Sequence, residues 1–174
     1  MTRYREHQNT LKPAVPTFYA FDAEGGEQLN TIGINLTWDT VKIKTSEFEY
    51  TTDTDRIYMQ SNTSGFYRIT YKIIVGSSSV ATNQIGAEIT VNGESIDQSM
   101  SYEALPFQSA FTTLQAVTVV YLKKGDYIQL NGWTETGIVA TEEFGAMILI
   151  EFIPMHGWDN STGGQEVFKG GVIR

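Results

Sequence analysis

The chain has 174 residues, 41% of them hydrophobic, with no cysteine and a formal charge of −8. That length holds one domain with a sizeable core. The acidic balance argues against a nucleic-acid partner, because phosphate binding needs a concentrated basic surface, and the missing cysteines remove disulfide frameworks, thiolate metal sites and cysteine nucleophiles together.

No apolar run reaches the roughly 18 residues that cross a bilayer, so no membrane partner is expected. The first residues, Met1 to Gln8, are polar and lack the apolar stretch of a secretory signal. Residues 1–16 read as an extended arm, because Pro13 and Pro16 hold themselves and their predecessors out of helical geometry. Short β-type runs begin at Thr17–Phe21, followed by a turn over Asp22–Glu27. Ile34, Leu36 and Trp38 alternate with Asn35, Thr37 and Asp39. Val41 and Ile43 then continue one residue out of step, which predicts one strand with a bulge near Asp39–Thr40. Phe48–Tyr50 and Ile57–Met59 flank the acidic turn Thr52–Asp55.

The strongest strand runs from Gly65 to Val75. Tyr67, Ile69, Tyr71, Ile73 and Val75 share one face; Arg68, Thr70, Lys72 and Ile74 share the other. Ile85–Val91 and Glu94–Ile96 join through Asn92–Gly93, a strong hairpin signal. Thr112–Leu122 is apolar on both faces, and Lys123–Asp126 turns it into Tyr127–Leu130. The last strand, Ala146–Pro154, is almost continuously apolar. His156–Arg174 carries five of the 16 glycines and little periodicity, and reads as a tail that a partner orders. About ten short strands without an amphipathic helix predict an all-β sandwich or barrel. A strand apolar on both faces must be covered on both. In a two-sheet sandwich the second cover is a neighbouring copy, so the chain is expected to self-associate.

Four stretches, in order, carry a family resemblance. They are Gly65–Tyr71, Val91–Glu94, Tyr121–Leu130 and Phe144–Leu149. Together they resemble the Gly-x-Tyr-x-Phe strand, the Asn-Gly-Glu hairpin, the Gly-Asp-x-Ile-x-Leu hairpin and the closing strand of tumour-necrosis-factor-like and complement-globular-head jelly rolls. The resemblance covers residues 17–154 and implies an all-β, ten-stranded jelly-roll sandwich packed as a three-fold homotrimer. It places Tyr67, Tyr71, Val119, Tyr121 and Met147 at or beside the axis; which face of each strand points there depends on one step of register. The sequence shows no collagen-like or transmembrane stalk. Its polar arm and glycine-rich tail are similar instead to trimeric jelly rolls of virus and phage particles. The chain is therefore expected to be a structural virion protein, a capsid decoration or fibre head at the particle surface. It would be tied to a capsid protein through Tyr4, Leu11, Trp158 and Phe168. A carbohydrate-binding attachment module and a secreted cytokine- or complement-type ligand are the alternatives, the latter extracellular.

No residue set points to catalysis. The two histidines, His7 and His156, both lie in terminal segments, far from any serine–histidine–aspartate arrangement. Asp53 with Asp55, and Asp22 with Glu24 and Glu27, read as solvated turns rather than calcium loops. Glu142 and Glu143 are adjacent on a strand and so point to opposite faces, unlike a glycosidase pair. The Asn-x-Ser/Thr triplets at Asn35, Asn62 and Asn160 read as chance matches. No cofactor or metal is expected. Among the tryptophans, Trp38 alternates with core positions. Trp133 follows Asn131–Gly132 at a strand end, where a sugar ring could stack on it.

Overall fold

The computed structural model describes residues 15–52, 54–60, 62, 64–77, 83–105 and 110–154. The expected arm up to residue 14 and tail from residue 155 lie outside them, and with them Tyr4, Leu11, Trp158, Phe168, both histidines and Asp53. Thirteen strands occur among the described residues: β1 (Thr17–Asp22), β2 (Gln28–Leu29), β3 (Ile34–Asn35), β4 (Thr40–Lys44), β5 (Phe48–Glu49), β6 (Ile57–Met59), β7 (Gly65–Ser77), β8 (Asn83–Val91), β9 (Glu94–Ser95), β10 (Ser101–Leu105), β11 (Phe111–Leu122), β12 (Tyr127–Thr134) and β13 (Val139–Phe152). One 3₁₀ turn, Asp97–Ser99, precedes β10. The first sheet has the order β11-β7-β13-β1-β4, with β2 on β13. The second has the order β10-β8-β12-β6-β5, with β3 on β12 and β9 on β8. All pairings are antiparallel, and the fold is an all-β jelly-roll sandwich.

The predicted alternation of β7 sets the core. Tyr67, Ile69, Tyr71, Ile73 and Val75 are buried between the sheets, against Ile85, Ala87 and Ile89 of β8 and Ile128 and Leu130 of β12. Aromatic rings close one end: Phe18 meets Phe48 at 5.8 Å, Phe48 meets Tyr67 at 6.0 Å, and Tyr67 meets Phe152 at 5.3 Å. Two buried tyrosine hydroxyls are held by backbone groups across the core. The Trp38 backbone N–H donates to the Tyr50 hydroxyl at 2.9 Å, and that hydroxyl lies 2.7 Å from the Trp38 carbonyl. The Tyr71 hydroxyl reaches the carbonyls of Ala87 and Ser99, each at 2.8 Å. Burial, with the Glu47 charge adding, pushes the Tyr67 phenol up to about 12, and burial raises Tyr71 as well.

Two predicted strands divide differently. The stretch Ile34–Ile43 is not one bulged strand. It crosses between sheets, with β3 on β12 and β4 on β1, and buried Leu36 and Trp38 make the crossing. The apolar alternation holds throughout because the crossing segment also faces the core. The irregularity lies at Lys42, since Tyr19 faces Ile43 while Ala20 faces Val41. The last strand starts at Val139 and breaks register between Thr141 and Ala146. The Asn92–Gly93 hairpin is present; the expected hairpin over Tyr121–Leu130 is instead a turn that carries the chain from β11 in the first sheet to β12 in the second, and the two turns interlock. Asn92 and Gly93 adopt φ of 55° and 80°, as a tight two-residue turn requires. The Asn92 amide donates to Asp126 at 2.9 Å, and its oxygen accepts the Tyr127 N–H at 3.1 Å.

At one end of the sandwich the acidic turn after β1 folds on itself. Asp39 accepts the N–H groups of Ala23 and Glu24 at 3.0 Å, and Asp22 Oδ1 accepts those of Glu24 and Gly25 at 3.2 and 3.0 Å. Asp22 Oδ2 and Glu27 Oε2 are enclosed without a donor. Burial first, and then neighbouring carboxylate charge, raises Asp22, against the N–H groups that hold it down. Burial likewise raises Glu27, against the Thr37 donors. Burial also pulls Asp39 upward, but the N–H groups of Ala23 and Glu24 and the Thr40 hydroxyl outweigh it and leave it lowered.

A carboxyl raised in the folded state keeps its proton longer there than in the unfolded chain. Its stabilising contribution is full below the unfolded value and is lost as pH rises through the folded one. Asp22→Asn keeps an oxygen for Gly25 and Glu24 but cannot ionise. It should melt higher than wild type near neutral pH, by a margin that vanishes below the ordinary carboxylate range, as a pH series of thermal melts would record. Tyr71→Phe should lose about 1–2 kcal/mol of stability, read from urea unfolding with an unchanged slope.

Candidate functional site

The outward face of the first sheet leaves several large apolar side chains exposed. Antiparallel register assembles it in rows. Val117 on β11 faces Thr70 on β7, which faces Leu149 on β13, then Tyr19 on β1, then Ile43 on β4. The next row runs Gln115, Lys72, Met147, Phe21 and Thr40. On the other side lie Val119, Arg68, Glu151 and Thr17, and beyond them Tyr121 opposite Phe66. Strand β11 is the sheet's edge and carries the most exposed stripe. Its core face holds Leu114, Thr118, Val120 and Leu122, so Val117, Val119 and Tyr121 must point out, and each is at least half exposed.

A second aromatic string runs beside it. Tyr19 meets Phe21 at 6.2 Å, Phe21 meets Phe144 at 5.9 Å, and the Lys42 ammonium sits 5.4 Å from the centre of the Phe21 ring. Phe144 is 65% exposed and has φ of 53°, a left-handed conformation that bulky residues avoid. Its position follows from the break in β13 at Glu142–Gly145. Gly25 packs its backbone against Glu142 and Glu143 there, at φ of 66°, and a Cβ on it would stand 2.6 Å from Glu142 C. The one ion pair among the described residues lies within the same face: Arg68 Nη2 donates to Glu151 Oε2 at 2.6 Å and Arg68 Nε to the same oxygen at 3.2 Å.

Of the residues expected at the axis, Val119, Tyr121 and Met147 stand on this outward face. Tyr67 and Tyr71 do not. They are 0% and 1% exposed, on the core side of β7, and have no surface to offer a neighbour. The correction is one of parity: residues an odd number of positions apart lie on opposite faces, so Phe66, Arg68 and Thr70 take the outward places. Phe144 escapes the sequence pattern because its exposure comes from the register break; the glycine after it and the two charges before it are the available signal. Trp133 lies elsewhere, on the outward face of the second sheet. Asp55 is engaged by the amides of Asn35 at 3.2 Å and Gln129 at 2.6 Å. No three acidic, histidine or cysteine residues among those described stand together as a metal site.

No family model and no curated protein matches this sequence. Solved structures do match in three dimensions. Murine APRIL at pH 5.0 superimposes with a TM-score of 0.59 at 11% identity, over 80% of this chain and 100% of its own. The globular domain of the zebrafish complement 1qA protein gives 0.57 at 12% identity, over 80% and 98%. The fold is the tumour-necrosis-factor and complement-head jelly roll. At such low identity the likeness lies in the fold.

Phe144 offers a contrast with the core. Phe144→Gly deletes an exposed ring but frees the backbone from its left-handed strain, so stability should change by no more than about 1 kcal/mol. Phe18→Ala, on the buried side, should lose about 3–5 kcal/mol. Urea unfolding of the two variants side by side checks both.

Proposed function

We propose that this chain is a non-catalytic head module that assembles as a homotrimer through the outward face of its first sheet. The observation that carries the reading is the uncovered apolar surface itself. Phe111, Val117, Val119, Tyr121, Ile43 and Phe144 are all exposed on or beside one sheet, and apolar patches of this kind on soluble domains mark interaction sites. Burying such area contributes about 25 cal/mol per Å² before the losses of association. The three-fold arrangement comes from the resemblance to the tumour-necrosis-factor and complement-head jelly rolls. Within it Val119, Tyr121 and Met147 keep their assigned place, and Phe66 and Arg68 replace Tyr67 and Tyr71.

The fold neighbours favour the globular-head alternative, an extracellular binding module, over the capsid-decoration reading. Anchoring through Tyr4, Leu11, Trp158 and Phe168 belongs to that second reading and rests on the sequence alone. Sedimentation equilibrium or light scattering tests the assembly. The full chain should sediment at three times its 19.4 kDa subunit mass at micromolar concentration. A Val119→Asp, Tyr121→Asp variant should stay folded by circular dichroism and run as a single subunit. A wild-type monomer at that concentration would overturn the proposal.

A further inference from the structure

The second sheet carries an aromatic corner on its own outward face. Register aligns Tyr102 on β10, Gly86 on β8 and Trp133 on β12 in one row. A Cβ on Gly86 would stand only 2.2 Å from Trp133 Cζ2 and 2.7 Å from Cη2, so the indole lies over the bare glycine backbone and no other residue fits beneath it. Tyr102 meets that indole edge-on, at 5.6 Å between ring centres and 86° between planes. Tyr102 is 57% exposed, and Trp133 keeps part of its surface open. The pair thus forms a floor and one wall.

The adjoining row is polar. Glu88 faces Asn131, which faces Asn35. The Asn131 amide is spent on Asn35 Oδ1 at 3.1 Å, and Glu88 and Asn131 both keep part of their surface open.

We infer that this corner is a carbohydrate-binding subsite, with a pyranose ring laid on Trp133 against Tyr102 and its hydroxyls turned to the adjoining row of Glu88 and Asn131. The chemistry fits on three counts. The weakly polar C–H face of a pyranose is flat and matches an open indole floor, which supplies a large apolar contact of fixed shape. The polar row of Glu88 and Asn131 beside the rings gives the sugar's hydroxyls hydrogen-bonding partners. Small-ligand sites combine such an aromatic surface with a few fixed polar groups that set orientation. An organic cation would also be drawn to rings and a carboxylate, but cation recognition by aromatics uses a cage that encloses the charge, and this corner has one wall. The site stands on the opposite sheet from the proposed assembly face and does not rest on the trimer reading.

Saturation-transfer NMR on the full chain tests it, with galactose, N-acetylgalactosamine, N-acetylglucosamine, mannose and fucose as probes and choline as the cationic control. At least one of the five sugars should show transfer to its ring C–H protons. Trp133→Ala should weaken that binding about tenfold or more, equivalent to about 1.4 kcal/mol, with the sedimentation mass and circular dichroism unchanged. Tyr102→Ala and Glu88→Gln should each weaken it, and Trp133→Phe should retain part of it. Absence of transfer to all five sugars, unchanged binding in Trp133→Ala, or binding of choline in their place would each overturn the inference. Because sugar binding and subunit mass are read separately, loss of one leaves the other standing.

Discussion

Strand β7 lies hydrogen-bonded between β11 and β13, and the two-residue period of all three is the constraint from which the surfaces of the first sheet follow. Along β7 every second side chain is committed to the space between the sheets. Its pairing with β11 runs the whole length of that edge strand, so the parity of β7 is copied onto its neighbours. What is apolar and left over then appears as ordered rows on the outside. The face is a by-product of strands that are hydrophobic on both sides, a pattern that a solvated antiparallel sheet does not need.

Much of this was legible in the sequence, and the reasons differ from place to place. The long alternation of Gly65–Val75 and the Asn92–Gly93 hairpin are local signals, and local physics realises them. The Lys123–Asp126 turn was equally plain, because its aspartate caps the turn from within: Asp126 Oδ2 accepts the Lys123 N–H at 2.9 Å. Fold class followed from strand spacing. Alternation alone, however, says which residues share a face and not which face is inside. That is why Tyr67 and Tyr71, expected beside the axis, turn out buried between the sheets, while Val119, Tyr121 and Met147 stand on the outward face.

The other misses are long-range. Ile34–Ile43 alternates as one strand would, but its halves hydrogen-bond to different sheets, and only the partners β12 and β1 decide that. Phe144 owes its exposure to a register break that accommodates Gly25 from a turn more than a hundred residues earlier in the chain. Trp133 was visible as an exposed candidate. Its floor was not, since Gly86 reads as an unremarkable glycine until β8 and β12 are set side by side.

The two outward faces of a sandwich point away from each other. A subunit that docks through β11, β13 and β1 therefore leaves the row of Tyr102, Gly86 and Trp133 turned to the surroundings, repeated once per copy. A shallow corner with one wall holds a single ligand weakly. Several such corners held in fixed relation on one particle engage a dense surface by avidity, with each contact raising the effective concentration for the next. Such an arrangement distinguishes crowded targets from sparse ones without any change in the individual contact.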